Sequence, residues 1–560
     1  MCIIYTLSAS RTMHVQRKIF WLLGVHTLLA SLSISTIAET DSFYESVTMD
    51  VFGHDQLYSF FNFTTQWIFR DQFNPQHYNL FPRSFGQMMQ KYNVSELHFT
   101  MTQGLWRYNV WGLPHASAPT GAQLWVWFEK GTVDVDKSWL GFTNALSGLF
   151  CASLNLINKA VTVTPKLSFR PSGAVEGGKI DSSYLRYGAL ARENLCTENL
   201  TPWMKLLPCG SKAGPSYLLN PSRLHHSRYL SIGIHFKPVC VDTGCDVTAI
   251  QLQQHVSVVY DIRSATDEMP NFSFRSLFHR RIKPGCKLAE SSILKVKMPK
   301  DSYLVPAIGE ELAGYLTVDL FSLNSDTNFE VKWKKRPSTT TRSPAPISSH
   351  CYVTGLGIDG GIMCSITNTL AHNLTVVFFQ VIPWFLHTQL HTLQVEVGGM
   401  KTSPLAVYFA PAKIRDTPQT LEVVLSLPAD SVTCLRVDFS RGFLTWTEHP
   451  PDANHGFYVT PATITIRSSD LGSERPGVVE RIYSEALLIN IPVPDFSMPY
   501  NVICLVCTVI AVAFGSLHNI STRRLQKVPA SQPSTLKAKL MLLKSKIFHK
   551  KEKELGQANT

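Results

Sequence analysis

The stretch Pro492–Tyr500 (PVPDFSMPY) runs directly into Asn501–Leu517 (NVICLVCTVIAVAFGSL), and these residues decide how the rest of the chain is placed. Asn501–Leu517 carries no charged residue, is long enough to cross a bilayer as one helix, and is followed by the basic run His518–Lys527. The sequence therefore predicts a transmembrane helix at 501–517, with the preceding and following parts of the chain on opposite sides of a membrane.

The charge beside this segment predicts its orientation. Residues 518–560 hold ten Lys and Arg against two Glu, and positively charged flanks remain in the cytosol. We therefore predict that 518–560 is a basic cytosolic tail and that the large N-terminal part lies in the lumen of the secretory pathway. Within the tail, apolar residues recur at helical spacing among lysines, which indicates either an amphipathic helix on the anionic leaflet or a disordered segment. These apolar residues are Leu536, Leu540, Leu543 and Ile547.

The net charge of +11 is concentrated at the two ends of the chain. Besides the tail, residues 1–38 contain Arg11, Arg17 and Lys18 and no acidic residue, so the region between is neutral. A basic balance distributed in this way reflects membrane topology and gives no support for a nucleic-acid partner. Arg17 and Lys18 precede an apolar run that ends in small residues, so 1–38 is predicted to be a signal peptide. An uncleaved membrane anchor is the alternative.

Cysteine usage is typical of an oxidising compartment. Of the 12 cysteines, Cys2 lies in the leader and Cys504 and Cys507 lie in the predicted span. An odd number remains, so at least one is free or bonded to another chain. These are Cys151, Cys196, Cys209, Cys240, Cys245, Cys286, Cys351, Cys364 and Cys434. Sequons predict glycosylation at Asn62, Asn93, Asn199, Asn271 and Asn373.

Residue patterns predict a mainly β protein with some α structure (α+β). Residues 39–335 read as a β-rich luminal domain with packed helices, 336–349 as a Pro/Ser/Thr-rich linker or loop, and 350–500 as a membrane-proximal antiparallel β-sandwich. The sandwich prediction rests on short strand patterns at Leu374–Val381, Thr392–Val397, Leu421–Leu427, Cys434–Phe439, Thr463–Ile466 and Ala486–Pro492.

Apolar residues at helical spacing predict a helix over Ser138–Ile157, with Ser138 as its N-cap. Just before it, Asp134 and Asp136 raise the question of a cation site. One such pair is more typical of a turn or a helix N-terminus, so no metal site is predicted.

Motifs of catalysis are missing from the sequence. It has no Gly-x-Ser-x-Gly, His-Glu-x-x-His or Walker pattern, and its one Cys-x-x-Cys lies in the predicted span. Cys196 with His225 and His226 can be drawn as a nucleophile and base, which would make the chain a thiol hydrolase. Since a cysteine in the lumen is more often bonded than catalytic, we predict no catalytic residue and no cofactor.

Two polar groupings remain as candidate sites. Cys196–Gly214 has the marks of a surface loop, and its first cysteine either reaches another chain or pairs with Cys209. The second grouping lies near the membrane and consists of Asn454, Asp495, Ser497 and Asn501. Its carboxylate, hydroxyl and amide groups either bind a lipid headgroup or cap the helix.

Five long collinear stretches resemble the PIG-T family, a subunit of the glycosylphosphatidylinositol (GPI) transamidase of the endoplasmic reticulum. They are Lys91–Gly112, Gly121–Asn155, Cys196–Gly214, Trp446–Pro461 and Pro494–Cys507. The resemblance implies a non-catalytic subunit beside a caspase-like catalytic partner and further membrane subunits. Cys351, Cys364 and Cys434 are additional to the family pattern that these stretches resemble.

The same resemblance assigns roles to the candidate residues. It implies an interchain disulfide from Cys196 to the catalytic subunit, and it implies GPI contacts for Asn454, Asp495, Ser497 and Asn501. The predicted membrane topology and β-sandwich, taken alone, also fit a single-pass cell-surface adhesion protein or receptor ectodomain. This is the competing hypothesis.

Overall fold

The computed structural model describes residues 41–52, 56–69, 78–173, 180–240, 248–262, 271–298, 301–334, 344–355, 357–450, 452–467, 479–495, 497–524 and 536–556. The predicted signal peptide at 1–38 and most of the predicted linker at 336–349 lie outside this part of the chain. The contacts divide the protein into two units, and the larger contains the chain up to Leu444 together with Glu448–Pro492. The smaller unit contains Thr445–Thr447 and Val493–Thr560.

An 11-stranded sheet forms the N-terminal part of the larger unit. From edge to edge its strands are β12 (Glu310–Leu312), β13 (Tyr315–Asp319), β10 (Ser291–Lys297), β1 (Ser42–Phe52), β2 (Gln56–Phe69), β8 (Thr248–Asp261), β7 (Tyr229–Cys240), β3 (Val94–Gln103), β4 (Gly121–Phe128), β6 (Leu185–Leu190) and β5 (Thr162–Val163). The β1–β10 pair is parallel, whereas neighbouring pairs such as β1–β2 and β7–β8 are antiparallel.

Helices cover one face of this sheet. They are α1 (Arg83–Lys91), α3 (Val135–Phe150), α4 (Thr197–Lys205), α5 (Pro221–Leu224) and α6 (Phe274–Phe278), whereas Tyr108 and Trp111 of the short helix α2 (Tyr108–Trp111) join an apolar cluster with the β-sandwich on the opposite face. Short 3-10 helices lie at Leu154–Leu156, Ser182–Tyr184, Pro215–Leu218 and Leu320–Ser322. Because side chains alternate along a strand, Leu97 and Phe99 of β3 join the core with Trp139 and Phe142 of α3. The packed helix that the sequence predicted is thus confirmed.

The start of α3 differs from the prediction. The Asp134 carboxylate accepts a hydrogen bond from the Lys137 backbone N–H at 2.9 Å, so Asp134 is the N-cap and the Ser138 prediction was wrong. Asp134 and Asp136 form a helix N-terminus, as the sequence favoured. The helix ends at Phe150 and not at the predicted Ile157, because its C-cap Cys151 has a left-handed backbone with φ 52°.

A β-sandwich follows, which confirms the predicted fold class. One sheet contains β15 (Ile347–Thr354), β16 (Asp359–Asn368), β22 (Ser431–Arg441), β18 (Leu386–Val397) and β19 (Met400–Thr402). The other contains β20 (Ala406–Ala410), β21 (Gln419–Leu427), β17 (Leu374–Ile382), β24 (Thr463–Arg467) and β25 (Val479–Tyr483). Two small sheets contain β11 (Ser302–Val305), β14 (Glu330–Trp333) and β9 (Phe272–Ser273), and β23 (Phe457–Val459) with β26 (Leu487–Ile489).

The sandwich packs on the face of the large sheet that the helices leave uncovered. Apolar side chains of both parts share two clusters, one of which joins Trp125 and Tyr187 to Phe379 of β17. Tyr483 of β25 donates its hydroxyl to the Gln123 carboxamide oxygen of β4 at 3.0 Å. The boundary predicted at 335–350 stays a prediction, since both parts lie in one compact unit and β15 begins at Ile347, inside the predicted linker.

The smaller unit contains two long helices, α7 (Ser497–Thr522) and α8 (Leu536–Gly556), and a 3-10 turn spans Trp446–Glu448. Within the described residues, α7 is the one helix long and apolar enough to cross a membrane, and it contains the predicted span 501–517. The tail is helical over α8, which agrees with the predicted helix and not with the alternative of a disordered segment. Leu536, Leu540 and Leu543 are exposed. The binding of α8 to lipid stays a prediction.

Candidate tethering and headgroup sites

Cys196 is an exposed cysteine at the N-cap of α4. Its backbone N–H and its thiol both donate to the carboxamide oxygen of Asn199, at 2.7 and 3.0 Å. The Asn199 nitrogen donates in turn to the carbonyl oxygens of Phe150 and Cys151, at 2.8 and 3.0 Å. One buried amide therefore fixes the position of this thiol at the surface.

Cys209 is bonded to Cys286, so the alternative pairing of Cys196 with Cys209 was wrong. A second disulfide joins Cys351 and Cys364, which lie directly opposite each other on β15 and β16. Cys240 is also disulfide-bonded. Among the described residues outside α7, the free cysteines are Cys151, Cys196 and Cys434.

His225 lies beside the backbone of Cys196, whereas a nucleophile-and-base pair requires the imidazole at the thiol, and the thiol donates to Asn199. The His225 Nδ1 atom lies 3.3 Å from the Gln103 carboxamide oxygen. Burial lowers the pKa of His225, and the nearby Cys196 backbone partly opposes this. His226 is exposed. The thiol therefore has an amide neighbour where a cysteine nucleophile needs an imidazole.

Asn454 lies in a surface turn of the larger unit. It is exposed within the 3-10 helix Ala453–His455, and its backbone N–H donates to the Asp452 carboxylate at 3.2 Å. Gly456 follows with φ 85°, and a Cβ atom there would lie 2.5 Å from the Asn490 carboxamide oxygen. Only glycine fits this position without strain, so the turn that carries Asn454 depends on Gly456.

The other three predicted headgroup residues surround the start of α7. The Asp495 carboxylate accepts hydrogen bonds from the Ser497 backbone N–H at 2.9 Å and from its hydroxyl at 3.0 Å. These bonds lower the pKa of Asp495 below its usual value. The capping role that the sequence left open is therefore present. Ser497 and Asn501, one helical turn apart, lie on the same face of α7 and are both exposed.

The predicted glycosylation sites differ in exposure. Asn93, Asn271 and Asn373 are exposed, and Asn62 is half-buried on β2. Asn199 is 1% exposed and its side-chain nitrogen already donates twice. A glycan at Asn199 would need the nitrogen that donates to Phe150 and Cys151, so its burial and these bonds argue against glycosylation there, and the site stays a prediction. The tripeptide pattern could not show that its asparagine is a buried bridge.

Sequence reasoning missed a buried polar row beneath the sandwich. The Glu96 carboxylate lies 2.6 Å from His98 Nε2 and accepts from the Ser172 backbone N–H at 2.8 Å. His98 Nδ1 lies 2.8 Å from His235 Nδ1, and the His235 ring stacks on His255. Glu96 and His98 alternate with apolar residues along β3, and this pattern was the available signal.

Burial acts on each member of this row. Burial raises the pKa of Glu96, but hydrogen bonds from His98 and Ser172 outweigh it and leave that pKa below its usual value. Burial lowers the pKa of His98 and His235, and it lowers that of His255 to about 4. The row therefore contains a carboxylate beside neutral imidazoles. No group of acidic, histidine and cysteine residues able to hold a metal ion occurs in the described part of the chain.

A cleft of about 830 Å³ lies between the large sheet and the sandwich. Tyr187 and Arg192 line it from the sheet, while Trp384, His449 and Tyr458 line it from the sandwich. Its walls come from segments distant in sequence, so no local sequence pattern indicates it.

Comparison with known proteins gives concordant results. The family model described as "Gpi16 subunit, GPI transamidase component" matches residues 27–271 and 265–548. Proteins named "GPI-anchor transamidase component PIGT" from Mus musculus and Homo sapiens are each 38% identical to this chain, covering 86% of it and 90% of their own length. The Saccharomyces cerevisiae "GPI transamidase component GPI16" is 29% identical and covers 87% of both chains.

Proposed function

The chain belongs to the Gpi16 family of GPI transamidase components, and on that premise we propose that it is a non-catalytic subunit that aligns the catalytic subunit with the GPI glycolipid. The complex removes a C-terminal signal from a proprotein, forms an acyl intermediate on the cysteine of a caspase-like subunit, and passes the acyl group to the GPI ethanolamine amine. Holding these groups together makes their reaction effectively unimolecular, which is worth on the order of 7 kcal/mol in favourable cases.

The observation that carries the tethering role is the state of Cys196. Its thiol is exposed and free, while Cys209, its nearest alternative partner in sequence, is bonded to Cys286. A thiol held at the surface by a buried amide is available to a second chain without rearrangement of the fold. This state supports our proposal that Cys196 forms the interchain disulfide with the catalytic subunit.

We expect Cys196→Ser to abolish the covalent link to the catalytic subunit. Non-reducing gels and mass spectrometry of the complex in mild detergent should show a heavier band containing a caspase-like protein in the wild type and none in the variant. Because serine retains the hydrogen bond to Asn199, α4 keeps its cap.

Cys434→Ser is the matched control, since Cys434 is a free cysteine of the sandwich, and this variant should keep the heavier band. Absence of a caspase-like partner from every sample, with the chain exposed at the plasma membrane, would favour the adhesion or receptor hypothesis. Retention in the endoplasmic reticulum, with the large unit in the lumen and α7 spanning the membrane, is what the proposal requires.

The second part of the proposal concerns the glycolipid. Asp495 supplies a carboxylate at the start of α7, and Ser497 and Asn501 present a hydroxyl and an amide on one helix face. In the larger unit, Asn454 presents an amide from its own surface turn. A carboxylate suits the ethanolamine ammonium, whereas hydroxyl and amide groups suit phosphate and sugar oxygens. Capping by Asp495 is compatible with this role, because a carboxylate has acceptor sites to spare.

We expect Asp495→Asn to reduce the GPI lipid that copurifies with the complex by about tenfold, since a hydrogen bond to a charged group contributes about 1.5–3 kcal/mol. Asparagine is itself a good N-cap, so α7 should still begin in the same place. The measurement is lipid mass spectrometry per mole of complex, with Asp430→Asn in an exposed turn of the sandwich as the control. Equal GPI retention by both variants would contradict the assignment of Asp495.

A further inference from the structure

Two free, exposed cysteines lie on adjacent segments of the larger unit. Cys151 ends α3 and Cys196 begins α4. The Asn199 carboxamide accepts from the backbone and thiol of Cys196 and donates to the Cys151 carbonyl oxygen at 3.0 Å. A single side-chain amide thus links the thiol of Cys196 to the backbone of Cys151.

A second contact holds the same segments together. Ser153 follows Cys151 by two residues, and Glu193 precedes Cys196 by three. The Ser153 backbone N–H donates to the Glu193 carboxylate at 2.7 Å. Helices α3 and α4 also pack against each other. These contacts hold the backbone around Cys151 next to the segment that carries Cys196, although the two residues lie far apart in sequence.

The chemistry of the compartment makes this arrangement significant. In an oxidising lumen an exposed thiol pair does not persist unchanged, and a chain that awaits its partner with Cys196 unprotected would form adducts with other thiols. Bonding of Cys196 to a second chain also leaves the Cys151 thiol without a disulfide partner nearby.

We propose that Cys151 and Cys196 form an intrachain disulfide before assembly, and that the catalytic subunit replaces Cys151 by thiol–disulfide exchange. This proposal rests on the tethering role of Cys196. It assigns to Cys151 the role of a protecting and leaving thiol, and it makes the interchain bond a product of exchange between the subunits.

The two steps balance. First, a disulfide of the lumen, from a protein or a small thiol, accepts two electrons and two protons from Cys151 and Cys196, giving two thiols and the Cys151–Cys196 bond. Then a thiolate of the catalytic subunit attacks the Cys196 sulfur, forming the interchain bond and breaking the intrachain one. The electron pair leaves on the Cys151 sulfur, which takes up a proton, so this step needs no further oxidant.

The test maps disulfides in the full-length chain in two pools, unassembled chain and purified complex, after free thiols are blocked with N-ethylmaleimide at lysis. In unassembled chain we expect a peptide in which Cys151 is joined to Cys196. In the complex we expect Cys151 to carry the maleimide and Cys196 to be joined to the partner. Cys434 should carry the maleimide in both pools.

The outcomes separate this inference from the proposed function. Maleimide on both cysteines of the unassembled chain, with Cys196 bonded to the partner in the complex, would overturn the exchange and leave the tether standing. A Cys151–Cys196 peptide in both pools would overturn the exchange and the tether together.

Cys151→Ser provides a second readout. Without its intrachain partner, Cys196 should appear in unassembled chain as a maleimide or glutathione adduct, and the covalent complex should accumulate several-fold more slowly in a pulse–chase. Cys434→Ser should match the wild type in both respects. Wild-type kinetics and adducts in Cys151→Ser would overturn the proposal.

Discussion

Replacing Glu422 by alanine is expected to lower the free energy of unfolding by on the order of 4 kcal/mol, because it would leave several buried donors without an acceptor. Glu422 lies on β21 of the sandwich and is 1% exposed. Its carboxylate accepts from three consecutive backbone N–H groups of the segment that follows β5 in the large sheet. These belong to Lys166 at 2.7 Å, Leu167 at 3.1 Å and Ser168 at 2.9 Å.

Besides accepting these three hydrogen bonds, the Glu422 carboxylate supports the residue that follows them. The next residue, Phe169, has a left-handed backbone with φ 58°, which is costly for a bulky side chain. Its ring is buried between Trp125 and Tyr187 of the sheet and Phe379 of the sandwich. Loss of the Glu422 carboxylate would therefore free a strained segment and loosen the packing of the sandwich on the sheet.

Thermal unfolding of the full chain in detergent should show a lower first transition for Glu422→Ala. Hydrogen exchange should be faster at the amides of 166–168. Glu396→Ala is the matched control, because Glu396 is a partly exposed residue on β18 of the same sandwich, and a change there should stay within about 0.5 kcal/mol. If the two variants had the same transition temperature and the same exchange rates at 166–168, Glu422 would not stabilise the packing of the sandwich on the sheet.

The sequence was sufficient for elements whose signal is local. The uncharged run at 501–517 lies within α7, and the strand patterns Leu374–Val381 and Leu421–Leu427 lie within β17 and β21. The wrong N-cap predicted for α3 also concerned neighbouring residues only. Asp134 and Ser138 are both good caps, and the apolar periodicity did not reveal that Val135 already belongs to the helix.

What could not be predicted depends on pairs of residues distant in sequence. Asn199 reads as a sequon, and only the packing of α4 against α3 shows that it bridges Cys196 and Cys151. The Cys209–Cys286 bond likewise follows from tertiary structure, since spacing alone allows many pairings. Glu422 gave no sign at all, because its partners are backbone groups of another part of the fold.

The buried histidine row predicts how stability depends on pH. Burial lowers the pKa of His255 from 6.5 to about 4, so the folded protein keeps this ring neutral where the unfolded chain protonates it. Between these values the unfolded state binds more protons, and stability falls as the pH falls. His255 alone should account for a loss of about 3 kcal/mol between pH 6.5 and 4. His98 and His235, whose pKa values are also lowered, act in the same direction.

The variant that tests this is His255→Phe, measured as unfolding temperature against pH in the full chain. His255 Nδ1 and Nε2 are buried without hydrogen-bond partners among the described residues, and the ring lies against Gly233, where a Cβ atom would be 2.1 Å away. Phenylalanine retains an aromatic ring but cannot bind a proton. The unfolding temperature should therefore depend less steeply on pH between 4 and 6.5, even if the larger ring lowers stability at every pH. His391→Phe, at an exposed position of β18, should keep the wild-type slope. An unchanged slope in His255→Phe would show that another group governs the acid sensitivity of the fold.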